Sequence, residues 1–146
     1  MKRDEFLTTL GIGLAAACTG CLYGCSKSGD DEGTPGTNPP PPPPTNVNLT
    51  IDLNNEIKNV GESKIASGII VVRLAASNEP SSFTAVQSAC THEGFTIGFS
   101  PTQGRFVCPN HGSQFSTAGA VQTGPATRPL KKYAIAISGS TLTVTD

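Results

Sequence analysis

From Val47 onward, apolar and polar positions alternate or run in short β-branched stretches broken by Gly, Asn, Ser or Pro. No window keeps an apolar 3.6-residue period for more than a turn or two. The pattern predicts an all-β domain without major helices. Strands are expected at Val47 to Leu53, Gly68 to Leu74, Thr84 to Val86, Thr96 to Phe99, Arg105 to Cys108, Gln114 to Phe115, Tyr133 to Ser138 and Thr141 to Thr145. Pro101-Thr102-Gln103-Gly104 reads as the turn that folds Thr96 to Phe99 onto Arg105 to Cys108, and Gly139-Ser140 as a two-residue hairpin turn.

The pattern differs ahead of that domain. Residues 1–24 carry Lys2 and Arg3 followed by an apolar stretch, Phe6 to Ala17, too short to span a bilayer but suited to a signal-peptide core. Leu22-Tyr23-Gly24 before Cys25 resembles a bacterial lipobox, and the polar, acidic Ser26 to Glu32 resembles the leader that follows the lipidated cysteine in many bacterial lipoproteins. Cys25 is therefore the expected lipidation site, with Cys18, after three alanines, as the competing one. Cleavage before Cys25 removes Cys18 and Cys21 with the signal. Arg3 to Leu7 also echoes a twin-arginine signal, except that Asp4 stands where the second Arg belongs, so the export route stays open.

Residues 25–45 lack apolar periodicity and end in six prolines, Pro39 to Pro44. They are expected to act as a tether, flexible first and then stiff, with the proline run extending about 19 Å at 3.1 Å per residue. That leaves residues 46–146 as the folded domain. Within it, seven Lys/Arg face six Asp/Glu with no basic run, which speaks against nucleic acid as a partner.

The chemistry is concentrated in four residues. Both histidines of the chain sit beside cysteines, in Cys90-Thr91-His92 and Cys108-Pro109-Asn110-His111, with fifteen residues between His92 and Cys108. Beyond Cys25 these are the only cysteines. Two thiolates and two imidazoles on two short loops form the ligand set of a Rieske centre, in which two Cys hold one iron of a two-iron, two-sulfur cluster and two His hold the other. The competing reading is a structural zinc site, but zinc ligands come more often as C-x2-C and H-x3-H pairs than as mixed C-x-H and C-x-x-H.

Over about residues 65 to 146 the sequence resembles the Rieske iron-sulfur family. C-T-H-E-G and C-P-N-H-G-S-Q-F match its two cluster loops, and Ser116 to Val121, Gly124-Pro125-Ala126 and Pro129-Leu130 resemble its downstream turn, proline loop and following strand. The resemblance implies a fold of antiparallel sheets with a cluster-binding subdomain formed by two loops. It implies one 2Fe-2S cluster per subunit, with Cys90 and Cys108 on the inner iron, His92 and His111 on the outer one, and Ser113 bonding to cluster sulfur. Gly94 and Gly112 would let the loops turn, and Pro125 would cover the cluster's side.

Departures from the family's quinol-oxidising branch bear on the potential. The extra cysteine of each loop, which forms a disulfide in that branch, is replaced by Phe95 and Asn110, and the tyrosine that bonds a ligand sulfur is replaced by Phe115. Glu93, after the first His, adds negative charge that favours the oxidised cluster. The midpoint is therefore expected well below the top of the range of about −150 to +300 mV. The functional expectation is an exported, membrane-anchored lipoprotein that passes single electrons between redox partner proteins at the bacterial cell envelope, not a catalyst on its own. The alternative is the iron-sulfur subunit of a larger membrane oxidoreductase, quinol-oxidising or molybdenum-dependent. A ferredoxin of an oxygenase fits the loops but conflicts with the export signal.

Overall fold

The computed structural model describes residues 39–146; the signal segment, Cys25 and the first part of the tether lie outside the described residues. Ile69-Ile70-Val71-Val72, the most apolar stretch of the domain, forms the middle of the molecule. It lies in strand β3 (Ile69–Arg73), pairs with β2 (Ser63–Ala66) on one side and β4 (Phe83–Gln87) on the other, and is buried on both faces. Side chains alternate across a strand, so neighbouring residues feed opposite cores. Ile69 and Val71 join Ile51, Phe83, Leu142 and Val144 in one core. Ile70 and Val72 join Val86, Ile97, Phe106, Phe115 and the two cysteines in the other.

The outer sheets close these cores. β1 (Asn48–Asp52), β10 (Thr141–Thr145) and β9 (Ala134–Ser138) form an antiparallel sheet in the order β1-β10-β9. β1 and β10 alternate as strands with one wet face should, with Ile51, Leu142 and Val144 inward and Asp52, Thr141 and Thr145 outward. On the other side β5 (Gly98–Ser100), β6 (Arg105–Val107), β7 (Gln114–Phe115) and β8 (Val121–Thr123) form an antiparallel sheet in that order. A 3-10 turn at Pro80–Ser82 precedes β4. The architecture is all-β, as the sequence pattern predicts. Among the described residues no helix is long and apolar enough to cross a membrane.

Both predicted turns form. β5 and β6 pair from Gly98 with Val107 to Ser100 with Arg105, and Gly104 closes the turn at φ +62. Ser138 faces Thr141 across the Gly139-Ser140 turn. Two strands go unpredicted, β2 and β8, and both are edges. Ser63-Lys64-Ile65-Ala66 contributes no buried side chain, and Ile65 points to solvent at 49% exposure. Val121-Gln122-Thr123 likewise buries nothing fully. Each is held by backbone pairing to a neighbour, which leaves no alternation to read.

The proline run, expected as the stiff, extended end of a tether, is in contact with the domain. Pro40 to Pro44 lie against the domain, where the Pro44 carbonyl accepts hydrogen bonds from the Tyr133 hydroxyl at 2.9 Å and the Lys131 ammonium at 3.2 Å. The reason is chemical. An extended proline segment presents apolar rings together with carbonyls that have no partner of their own.

Candidate metal centre

Two loops meet at the end of the molecule capped by β5–β8. The first leaves β4 and returns to β5; the second joins β6 to β7. They are closed by the same pair of backbone bonds. The Cys90 amide donates to the Phe95 carbonyl and the Gly94 amide to the Cys90 carbonyl, both at 2.8 Å. In the second, the Cys108 amide donates to the Ser113 carbonyl at 2.8 Å and the Gly112 amide to the Cys108 carbonyl at 3.0 Å. Gly94 and Gly112 occupy equivalent places at φ +79 and +75, a conformation that side chains resist. The β5–β6 hairpin, predicted from Pro101 to Gly104, brings the two loops together.

The four sequence-predicted residues are thereby collected. The Cys90 and Cys108 thiols lie in the second core at 0% and 2% exposure, and neither is in a disulfide. The His92 and His111 rings stand edge to face with centroids 5.0 Å apart, nearer the surface, His92 half-buried and His111 exposed. The arrangement is two sulfurs inside and two imidazoles outside.

Burial dominates the Cys90 thiol and pushes its pKa up. The His92 amide opposes that, the adjacent Cys108 thiol reinforces it, and the Ser113 hydroxyl opposes it. The Cys90 thiol, removed from water beside a second buried cysteine, is a poor candidate for a free thiolate, while two such neighbouring sulfurs are good ligands for a cation that shares their charge. The donor set therefore fits a buried metal–sulfur group with an exposed imidazole edge.

Ser113 is fully buried, and its Oγ accepts the Ala126 amide at 3.0 Å, joining the second loop to the segment after Pro125. Phe115 is fully buried in the same core as the two cysteines. Around the histidines, Asn110 Nδ2 donates to Glu93 Oε2 at 3.4 Å, and Glu93 Oε2 lies 3.6 Å from His111 Nδ1. Phe95, at 48% exposure, presents an apolar ring on the first loop.

Two positioning residues escape sequence reasoning. The buried Gln87 donates from Nε2 to the Ala89 carbonyl at 2.7 Å and accepts the Lys131 amide on Oε1 at 2.8 Å, bolting the root of the first loop to the segment that follows Pro129. The Thr91 hydroxyl donates to the Arg128 carbonyl at 2.6 Å. Thr91 stands inside the first loop motif, but neither its partner nor that of Gln87 is marked in the sequence, since Arg128 and Lys131 lie tens of positions away.

A β domain that collects two buried sulfurs and two surface imidazoles at one end defines an iron-sulfur electron-transfer domain. Comparison with known proteins gives the family. The signature described as the Rieske [2Fe-2S] domain matches residues 49–134, and the chain belongs to that family. It is 32% identical over 111 residues to the cytochrome b6-f complex iron-sulfur subunit of Chlorobaculum thiosulfatiphilum, covering 73% of this chain and 58% of that protein. It is 27% identical over 139 residues to the cytochrome b6-f complex iron-sulfur subunit 1 of Trichormus variabilis, covering 89% of this chain and 76% of that protein. The fold is shared with the ferredoxin of carbazole 1,9a-dioxygenase from Nocardioides aromaticivorans IC177, at a TM-score of 0.53 and 22% identity over 70% of this chain and 98% of that one. The cofactor is a Rieske-type 2Fe-2S cluster, and the domain's chemistry is electron transfer through it.

Proposed function

We propose that Cys90 and Cys108 hold one iron of the cluster and His92 and His111 the other, with Ser113 bonding to sulfur, in a one-electron carrier anchored to the cell envelope through Cys25. The observation that carries the ligand assignment is the pair of buried, disulfide-free cysteines on the same two loops that bring two imidazole rings to 5.0 Å of one another nearer the surface. When bound, the cluster accepts and releases a single electron. The chain's own residues set the conditions. Ile97, Phe106 and Phe115 exclude water from the sulfur side. The paired glycine turns hold each cysteine and histidine on one loop. The partly exposed histidine edge is where an electron leaves, because the opposite side of the site is filled by core.

Export and lipid attachment are supported by the residues before the domain. Leu22-Tyr23-Gly24-Cys25 places a small residue before the thiol that would carry the lipid. Between Cys25 and Pro39 lie thirteen residues, which reach at most about 45 Å when fully extended. A domain anchored there works close to a membrane surface.

The second reading, a subunit of a larger membrane oxidoreductase, is favoured by relatives that are cytochrome b6-f complex iron-sulfur subunits. An EPR-monitored redox titration tests both. A Rieske-type signal with a midpoint well below +300 mV supports the separate carrier, whereas one near the top of the family's range of about −150 to +300 mV supports the quinol-oxidising subunit. A protein silent in EPR and loaded with zinc overturns both. The anchor is tested by mass: a lipid-sized increment on Cys25 that is lost in Cys25→Ala supports it, and an unmodified exported chain overturns it.

A further inference from the structure

The run Pro39 to Pro44 takes no part in the ligand set, yet it packs on the loop that carries half of that set. A Cβ built on Gly94 would collide with the Pro41 ring and stand 3.6 Å from the Pro40 Cα. At the other end, a Cβ built on Gly68 would meet Pro44 Cγ at 2.7 Å. The run thus crosses from the β2–β3 turn to the first loop, and a glycine makes room for it at each end. The Pro44 end is fastened by the Tyr133 hydroxyl and the Lys131 ammonium. In between, the prolines wall a cleft of about 370 Å³ whose other side includes Gln87, Thr91 and Arg128, residues that already tie the first loop to the segment after Pro125.

The composition suits this placement. A proline's φ is fixed before it docks, so six in a row lose little conformational entropy on being held, which a Gly/Ser spacer of equal length would lose in full. Phe95 and Asn110 leave the two loops without a covalent link, and the side-chain contacts between them near the surface are long ones: Asn110–Glu93 at 3.4 Å, Glu93–His111 at 3.6 Å and the His92–His111 ring pair at 5.0 Å between centroids. The proline run lies against the first loop at Gly94.

We infer that Pro39 to Pro44 is an intramolecular strap that holds the first cysteine–histidine loop closed and brings the chain onto the domain beside the histidine edge. The inference rests on the ligand assignment proposed above. Its consequence is positional. The chain that precedes the run joins the domain at its redox-active end, beside the first cysteine–histidine loop.

The test replaces Pro39 to Pro44 with alternating Gly and Ser in the full, cluster-loaded chain and reads backbone hydrogen exchange by mass spectrometry. Exchange across residues 90–95, where the Gly94 amide is bonded to Cys90, is expected to quicken at least threefold while β3 is unchanged. Iron loss to a chelator is expected to quicken at least threefold as well. Exchange across 90–95 that quickens less than threefold overturns the strap. Quickened exchange with unchanged iron loss keeps the strap and overturns the placement of the cluster on that loop. A parallel rise in β3 marks general loosening, and Pro41→Gly, which removes only the ring over Gly94, then carries the test with the same threshold.

Discussion

Ser113 and Ala126, thirteen positions apart, are joined by a buried hydrogen bond of 3.0 Å in which the Ala126 amide donates to the Ser113 hydroxyl oxygen. With its oxygen accepting from the backbone, the hydroxyl has its own proton free to point toward sulfur, and it already opposes the upward shift of the Cys90 thiol. A donor to sulfur stabilises the more electron-rich, reduced state. Ser113→Ala is therefore expected to lower the midpoint potential while the cluster stays bound. If about 1.4 kcal/mol of bond energy distinguishes the two redox states, the fall is about 60 mV. An unchanged potential in a redox titration would refute the assignment.

Removing a ligand should act on fold and cofactor together. His111→Ala and Cys108→Ser are each expected to lose iron, labile sulfide and the visible absorption of the cluster. The melting temperature should fall as well, because metal binding free energy is also folding free energy. Iron and sulfide assays with thermal melts check both. Retention of a full cluster in His111→Ala would move the second imidazole ligand elsewhere.

Because β3 is buried on both faces, either parity of its residues is costly to truncate. Ile69→Ala strikes the core that contains Ile51 and Leu142, and Ile70→Ala the core that contains Phe106 and the cysteines. Each is expected to destabilise by about 2–5 kcal/mol in denaturant titrations. Only Ile70→Ala should also hasten cluster loss. A near-neutral result at either position would mean that one face of the strand is wet.

Gly119 is fixed by its surroundings. Its φ is +87, and a Cβ there would sit 2.8 Å from the Leu130 carbonyl oxygen, which belongs to the segment whose Leu130 amide bonds back to Gly119. Gly119→Ala should cost more than about 1 kcal/mol, lowering the melting temperature by several degrees, about 4–8 °C per kcal/mol for a domain of this size.

Burial, and then the charge of Asp146, raise the Tyr133 pKa above its ordinary 10.0. A folded pKa above the unfolded one means stability that is fully present below about pH 10 and lost as pH rises through the folded value. Tyr133→Phe is expected to be less stable at neutral pH, having lost the bond to the Pro44 carbonyl. It should also lack the alkaline fall, so that the gap to the unaltered protein narrows above pH 10. Denaturant midpoints at pH 7, 9 and 11 check this, and a gap that widens would contradict it.

The chain's own pattern determines a good deal. Alternation in β1 and β10, the solid apolar run of β3 and the two turns at Pro101 to Gly104 and Gly139-Ser140 are local signals, because inward and outward positions differ in solvent contact residue by residue. The candidate ligands are equally legible, since Cys90, His92, Cys108 and His111 include every histidine of the chain and sit at short, mixed spacings. Tertiary structure decides what depends on distant partners. β2 and β8 exist because β3 and β7 offer a free backbone edge, and neither buries enough side chain to mark itself. Gln87 and Thr91 become positioning residues only when Lys131 and Arg128 arrive beside them. The proline run shows the division most clearly. Composition makes it stiff and extended, but the glycines at 68 and 94 and the donors of Lys131 and Tyr133 decide where it lies, and those are assembled only by the fold.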